Sequence, residues 1–153
     1  MYIEVTSSAF EDGEFIPSRH TCEGEDVSPP LNWRNVPEDA KSLALICEDP
    51  DAPVGTWVHW VLYDIPPSIA GLTEAIPPTE ITPGGAKQGV NDFRRLGYGG
   101  PCPPPGSPHR YFFRLYALDF EPGLPGGATL ADLLRAIEGH VLAEGQLMGQ
   151  YMR

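Results

Sequence analysis

Ser42–Ile65 reads SLALICEDPDAPVGTWVHWVLYDI. It is a short apolar run, a proline-stiffened corner and a longer run with strand patterning. Ser42 to Cys47 is apolar nearly throughout, as a strand buried on both faces would be. Asp49–Pro53, DPDAP, follows it. Pro50 and Pro53 fix their own φ and restrict the residues before them, so the two carboxylates sit on a rigid corner. Trp57 to Ile65 then alternates. Trp57, His59, Val61, Tyr63 and Ile65 fall on one face, and Val58, Trp60 and Leu62 on the other.

A second stretch, Gly100–Leu118, reads GPCPPPGSPHRYFFRLYAL. Again prolines lead into a strand-like run. His109, Tyr111, Phe113, Leu115 and Ala117 share one parity, so His109 and Tyr111 point the same way. If the two stretches are neighbours in a sheet, His59, His109, Asp49 and Asp51 can converge on one small cavity. An imidazole can donate to phosphate or carboxylate oxygens, and an adjacent carboxylate favours its protonated form.

The rest of the chain completes a mainly β single domain over 1–153. Tyr2 to Thr6 alternates and is rich in β-branched residues. One segment reads as helix, at about 129–144. Thr129 is its N-cap, with Asp132 reaching back in a capping box. Leu130, Leu133, Leu134, Ile137 and Val141 fall on one helical face, and Gly145 is the expected stop. Gln146 to Met152 is read as a last strand. The 18 prolines and 17 glycines cluster between the patterned runs with no repeat period, which points to long ordered loops.

The 153 residues can bury a core without disulfide staples. The N-terminus has no basic and apolar leader pattern, which makes the cytoplasm the expected location. Three cysteines, an odd and low count, argue against a secreted disulfide framework. Cys47 sits in the apolar run as a small core residue. Cys22 and Cys102 lie in polar, proline-rich loops and can pair if the fold brings them together.

The net charge of −11 repels nucleic acid and disfavours stable docking on anionic membranes. Residues 87–114 run against this trend. Lys87, Arg94, Arg95, Arg110 and Arg114 face only Asp92 there, a local balance of +4. Such a patch can attract a small anion, although five solvated surface cations are the plainer reading.

Other chemistry finds less support. No GxSxG and no CxxC nominates a nucleophile. Asp49, Asp51, His59 and His109 are metal-ligand types, yet their spacing matches no dedicated metal motif, so no metal or cofactor is expected. GYGGPCPPPG, residues 97–106, lacks the phosphate-loop pattern. GVNDF, residues 89–93, is a turn that Asn91 and Asp92 can pin.

Together these motifs resemble the signature regions of the phosphatidylethanolamine-binding protein family, in particular its bacterial and archaeal Raf kinase inhibitor-like branch. DPDAP with WVHW resembles the first signature, and GP followed by HRYFFRLYAL the second. SPPLNW (residues 28–33), GVNDF and YGGPCPPPG resemble further stretches of that branch. The resemblance implies two antiparallel sheets with Greek-key connections and a small anion pocket at one end. It assigns Asp49, Asp51, Ala52, Pro53, His59, Pro101, His109 and Tyr111 to that pocket. The function it implies is a non-enzymatic binding or regulatory protein for phosphate, a phosphorylated headgroup or a carboxylate. The alternatives are a protease or kinase inhibitor that meets a protein partner through a surface loop, and a hydrolase of unassigned substrate. The stretch CPPPGSP before His109 departs from the eukaryotic form.

Overall fold

The structure is a computed structural model and describes residues 2–153. It contains eight strands and one α-helix. They are β1 (Glu4–Thr6), β2 (Leu31–Arg34), β3 (Ser42–Asp49), β4 (Trp57–Ile65), β5 (Gly71–Leu72), β6 (Lys87–Gln88), β7 (His109–Leu118), α1 (Leu130–Ile137) and β8 (Val141–Tyr151). One sheet has the order β6-β4-β3-β7-β8 and the other β1-β2-β5. All pairings between these strands are antiparallel. The expected mainly β fold of two antiparallel sheets with one late helix is what the chain adopts.

β3 lies at the centre of the large sheet and is covered on both sides. Leu43, Leu45 and Cys47 pack with Trp60, Phe113 and Leu115 against Ile3, Leu31 and Trp33 of the small-sheet side. Ala44 and Ile46 face the other way, with Val61 and Tyr63, against Leu133 and Ile137 of α1. The central sheet is thus a filling between a small sheet and a helix, which is why its middle strand is apolar at successive positions.

Two β-bulges overturn the simple alternation expected for β4. Cys47 pairs with Trp60 but Glu48 with Val58, so His59 is the extra residue. Leu45 pairs with Leu62 but Leu43 with Ile65, which places a second bulge at Tyr63–Asp64. Asp64 has φ +53 there. Val61 and Tyr63 therefore turn toward the helix, while Ile65 joins Trp60 and Leu62 in the core between the sheets. Alternation counts residues, and a bulge adds one.

The helix is shorter than its apolar spacing suggested. The capping box of Thr129 and Asp132 forms as expected, but α1 ends at Ile137 and Gly139 adopts φ +80 just beyond it. Gly139, not Gly145, is the stop. Val141 and Gly145 belong to β8, which pairs with β7 from His109↔Tyr151 to Leu118↔Val141. Pairing along β7 outweighs a further turn of helix.

Because β3 runs antiparallel to both β4 and β7, its C-terminal end meets their N-terminal ends. Asp49, Trp57 and His109 are brought to one edge of the sheet by topology alone. Cys22 and Cys102 form a disulfide, with Cα atoms 5.4 Å apart, and Cys47 is a buried free thiol. The odd count conceals one bridge.

Candidate functional site

The proline corner orients Asp49 through both its oxygens. Oδ1 accepts from the backbone N–H of Asp51 at 2.7 Å. Oδ2 lies 2.7 Å from Nδ1 of His109. Asp49 is buried, so its carboxylate is compensated by these two partners. The carboxylate accepts, so Nδ1 of His109 carries a hydrogen. Nε2 is left over.

Asp51 does something else. Its oxygens accept from the Arg110 guanidinium, Nε and Nη2 each at 2.9 Å, and from the Arg110 backbone N–H at 3.0 Å. The Arg110 hydrogen bond holds the Asp51 carboxyl below its ordinary pKa. This clamp ties the corner to the start of β7 and keeps Asp51 off the cavity wall.

The bulge in β4 aims His59 inward. Its Nδ1 lies 2.6 Å from the carbonyl oxygen of Gly99, and the Gly99 N–H donates to the carbonyl of His59 at 2.9 Å. A carbonyl only accepts, so Nδ1 carries the hydrogen. The ring stands edge-on to Phe93 and Tyr111, at 5.4 and 5.2 Å between centroids. Burial pushes the His59 pKa below the usual imidazole value, against the opposing pull of the Gly99 carbonyl and Asp49. His59 is therefore neutral at neutral pH, and its Nε2 makes no hydrogen bond among the described residues. Gly99 has to be glycine for this approach: a Cβ there would lie 2.5 Å from the Phe93 ring.

These groups wall a cavity of about 220 Å³. That is below the roughly 300–1,000 Å³ of sites for drug-sized ligands. Of the residues expected at a pocket, Asp49, Ala52, Pro53, His59, His109 and Tyr111 line it, and Asp51 and Pro101 do not. Pro101 stands behind the wall, where its carbonyl accepts from the N–H of Cys22 at 3.1 Å.

Tyr111 is 1% exposed, and its hydroxyl has no hydrogen-bond partner among the described residues. Burial, reinforced by Asp49, pushes its pKa up, so it stays a neutral O–H donor. A buried donor left unpaired costs about 1–3 kcal/mol.

The apolar part of the wall is not among the residues expected at the pocket. Val54, Trp57 and Phe93 form one side, and Cys102, Pro103 and Pro104 another. Phe93 had a usable signal, since it follows the Asn91–Asp92 turn. Asn91 Oδ1 accepts from the Phe93 N–H at 2.9 Å, and Asp92 Oδ2 from the Val58 N–H at 2.7 Å. The turn pins Phe93 beside β4. The proline wall is held by the disulfide and by Arg153, whose Nε donates to the Pro103 carbonyl at 2.7 Å.

The locally basic segment does not gather at the cavity. Arg110 pairs with Asp51, Arg114 with Glu48 and Lys87 with Asp64, while Arg95 lies 4.0 Å from Asp26. None of the five cations lines the cavity. The cationic character available there is that of imidazole. No three His, Cys, Asp or Glu side chains among the described residues group to hold a metal ion.

The family model of the phosphatidylethanolamine-binding proteins matches residues 6–152. The chain belongs to the phosphatidylethanolamine-binding protein family. A UPF0098 protein of Methanothermobacter thermautotrophicus is 56% identical over 151 residues, 99% of each chain. A UPF0098 protein of Aquifex aeolicus is 50% identical and covers 99% of this chain and 89% of its own. Two solved members of the family superpose with a TM-score of 0.91. The homologue CT736 of Chlamydia trachomatis is 41% identical, covering 99% of this chain and 98% of its own. YbcL of Escherichia coli, described as a member of the mammalian family, is 33% identical, covering 100% and 99%. The archaeal and bacterial relatives agree with the branch of the family that the motifs resemble.

Proposed function

We propose that the cavity between His59, His109 and Tyr111 binds one small oxyanion, phosphate or a phosphorylated headgroup, and that the protein acts through this binding rather than through turnover. The observation that carries the reading is the set of leftover polar groups. The Tyr111 hydroxyl has no partner among the described residues, and each imidazole has its Nδ1 engaged by a fixed acceptor. A protonated His109 is compensated by Asp49 and supplies a cationic donor. The modest volume suits a single compact tetrahedral oxyanion. Among the described residues no helix is long and apolar enough to cross a membrane.

The test is the ring resonances of His59 and His109, followed while inorganic phosphate or phosphoethanolamine is titrated to millimolar concentration. Both rings should shift along one saturable curve. Rings that stay unmoved at that concentration contradict the proposal.

One observation supports a second reading. His109 oriented by buried Asp49 has the geometry of a general base. No serine or threonine lines the cavity, and Cys102 is in a disulfide, so the attacking group would be water. Turnover of p-nitrophenyl phosphate or p-nitrophenyl acetate that disappears in His109→Ala would favour hydrolysis. Its absence in the intact protein favours binding.

A further inference from the structure

We propose that the Cys22–Cys102 disulfide masks a nucleophile: reduction by a dithiol leaves Cys102 as a thiol in the cavity wall, where it attacks small electrophiles that carry an anionic group. The choice of anionic electrophiles rests on the anion-binding reading, and the thiol itself does not.

The two sulfurs sit in different surroundings. Cys22 is exposed, on the acidic loop 22–26. Cys102 is half-buried and lines the cavity with His59, His109 and Tyr111. A dithiol in solution meets Cys22, and its attack on that sulfur expels Cys102 as a thiolate. The second thiol of the reductant then closes on the first and releases Cys22. The reductant ends as a disulfide, and the bridge has taken up two electrons and two protons as two thiols.

The bridge is not the only thing that keeps Cys102 in place. Pro101 and Pro103, on either side of it, are buried. The Pro101 carbonyl accepts from the Cys22 N–H at 3.1 Å, and the Pro103 carbonyl from Arg153 Nε at 2.7 Å. Both prolines fix their own φ, and Pro103 holds Cys102 to extended backbone. The facing loop has ties of its own. Thr21 Oγ1 donates to the Ser18 carbonyl at 2.9 Å, and the Tyr151 hydroxyl donates to the Glu23 carboxylate. The wall therefore outlasts the bridge.

The freed thiol joins groups suited to it. His109 has Nδ1 committed to the buried Asp49 and Nε2 left over. A neutral ring takes the thiol proton at Nε2, and Asp49 compensates the imidazolium, as in a cysteine–histidine pair. The buried Tyr111 hydroxyl, unpartnered among the described residues, is a donor for the anionic group of the electrophile. Attack forms an S–C bond, and the leaving group departs with its electron pair. Cys47 is enclosed in the core between the sheets and takes no part.

The experiment is alkylation of the native protein after reduction with dithiothreitol and its removal, read site by site by peptide mass spectrometry. Iodoacetate should modify Cys102 faster than it modifies free cysteine, and should leave Cys102 of the unreduced protein untouched. A net charge of −11 otherwise disfavours an anionic reagent. A ratio of iodoacetate to iodoacetamide rates above that of free cysteine is therefore the mark of the cavity. His109→Ala should slow Cys102 about tenfold, since a thiol without its base is mostly protonated. Cys22→Ser frees Cys102 without any reductant and should react at the same rate. Millimolar phosphate should slow Cys102 and not Cys22. Cys102 reacting no faster than free cysteine with either reagent overturns the proposal. So does alkylation of Cys47, which would show a core opened by reduction. Enhanced rates with both reagents alike, with no effect of phosphate, sustain the masked nucleophile and contradict the anion site.

Discussion

At the scale of single residues, the site is defined by groups whose local demands are unmet or only partly met. Tyr111 is the sharpest case. Its hydroxyl is enclosed and unpartnered, so the unliganded protein bears a cost that a ligand would remove. Tyr111→Phe should leave stability unchanged or raise it by up to roughly 1–3 kcal/mol. The same variant should bind phosphate about tenfold less tightly, the loss of one hydrogen bond to a charged group. Urea unfolding and a phosphate titration check the two halves separately. His59 gives a pH prediction. Its folded pKa is depressed, so below the unfolded value of about 6.5 the unfolded chain takes up a proton that the folded chain declines. His59 should therefore lower stability progressively as pH falls through 6.5 toward its folded pKa, with no effect above. Unfolding profiles of the intact protein and His59→Gln over pH 5–8 should differ in slope below 6.5 and run parallel above it. The sequence made His109 and Tyr111 legible as a pair, since parity from a strand start needs no tertiary information. It did not show that Asp51 clamps Arg110 rather than lining the cavity, because that choice is settled by contacts formed only after folding.

At the scale of elements, the β4 bulge and the Gly99 segment form one device. The bulge turns His59 inward, and Gly99 bonds it through both backbone groups. A side chain at Gly99 would collide with Phe93. Gly99→Ala should cost about 1–3 kcal/mol by overpacking, displace Phe93 and shift the ring resonances of His59, as unfolding and NMR would show. The limits of β4 were readable to the residue, but its faces were not. A bulge leaves no mark in the alternation of residue types, and both faces of this strand are buried, so polarity could not reveal the switch. The helix was over-extended for a related reason. Val141 suits a helical face and a strand equally, and only the pairing with Leu118 decides between them.

At the scale of the whole molecule, the five-stranded sheet delivers three strand ends to one edge, and proline-rich loops close the space above them. The fold class was legible because the central strands are long and apolar and the corners are stiff. The disulfide was legible only as two cysteines in polar loops, since pairing across 80 residues depends on the complete fold. Replacing Cys22 and Cys102 by serine should lower stability by roughly 2–4 kcal/mol, seen as an earlier urea midpoint that reductant no longer moves. The net charge of −11 proved a poor guide to the site. Three of the five cations of the 87–114 segment pair closely with carboxylates, and none of the five lines the cavity, which two imidazoles and a phenol do line.

The most direct measurement is a crystal structure of the protein grown with phosphate and no other oxyanion. A tetrahedral anion is expected in the cavity, within hydrogen-bonding distance of His59 Nε2, His109 Nε2 and the Tyr111 hydroxyl. Phosphate bound elsewhere on the surface, with the cavity holding only water, would contradict it.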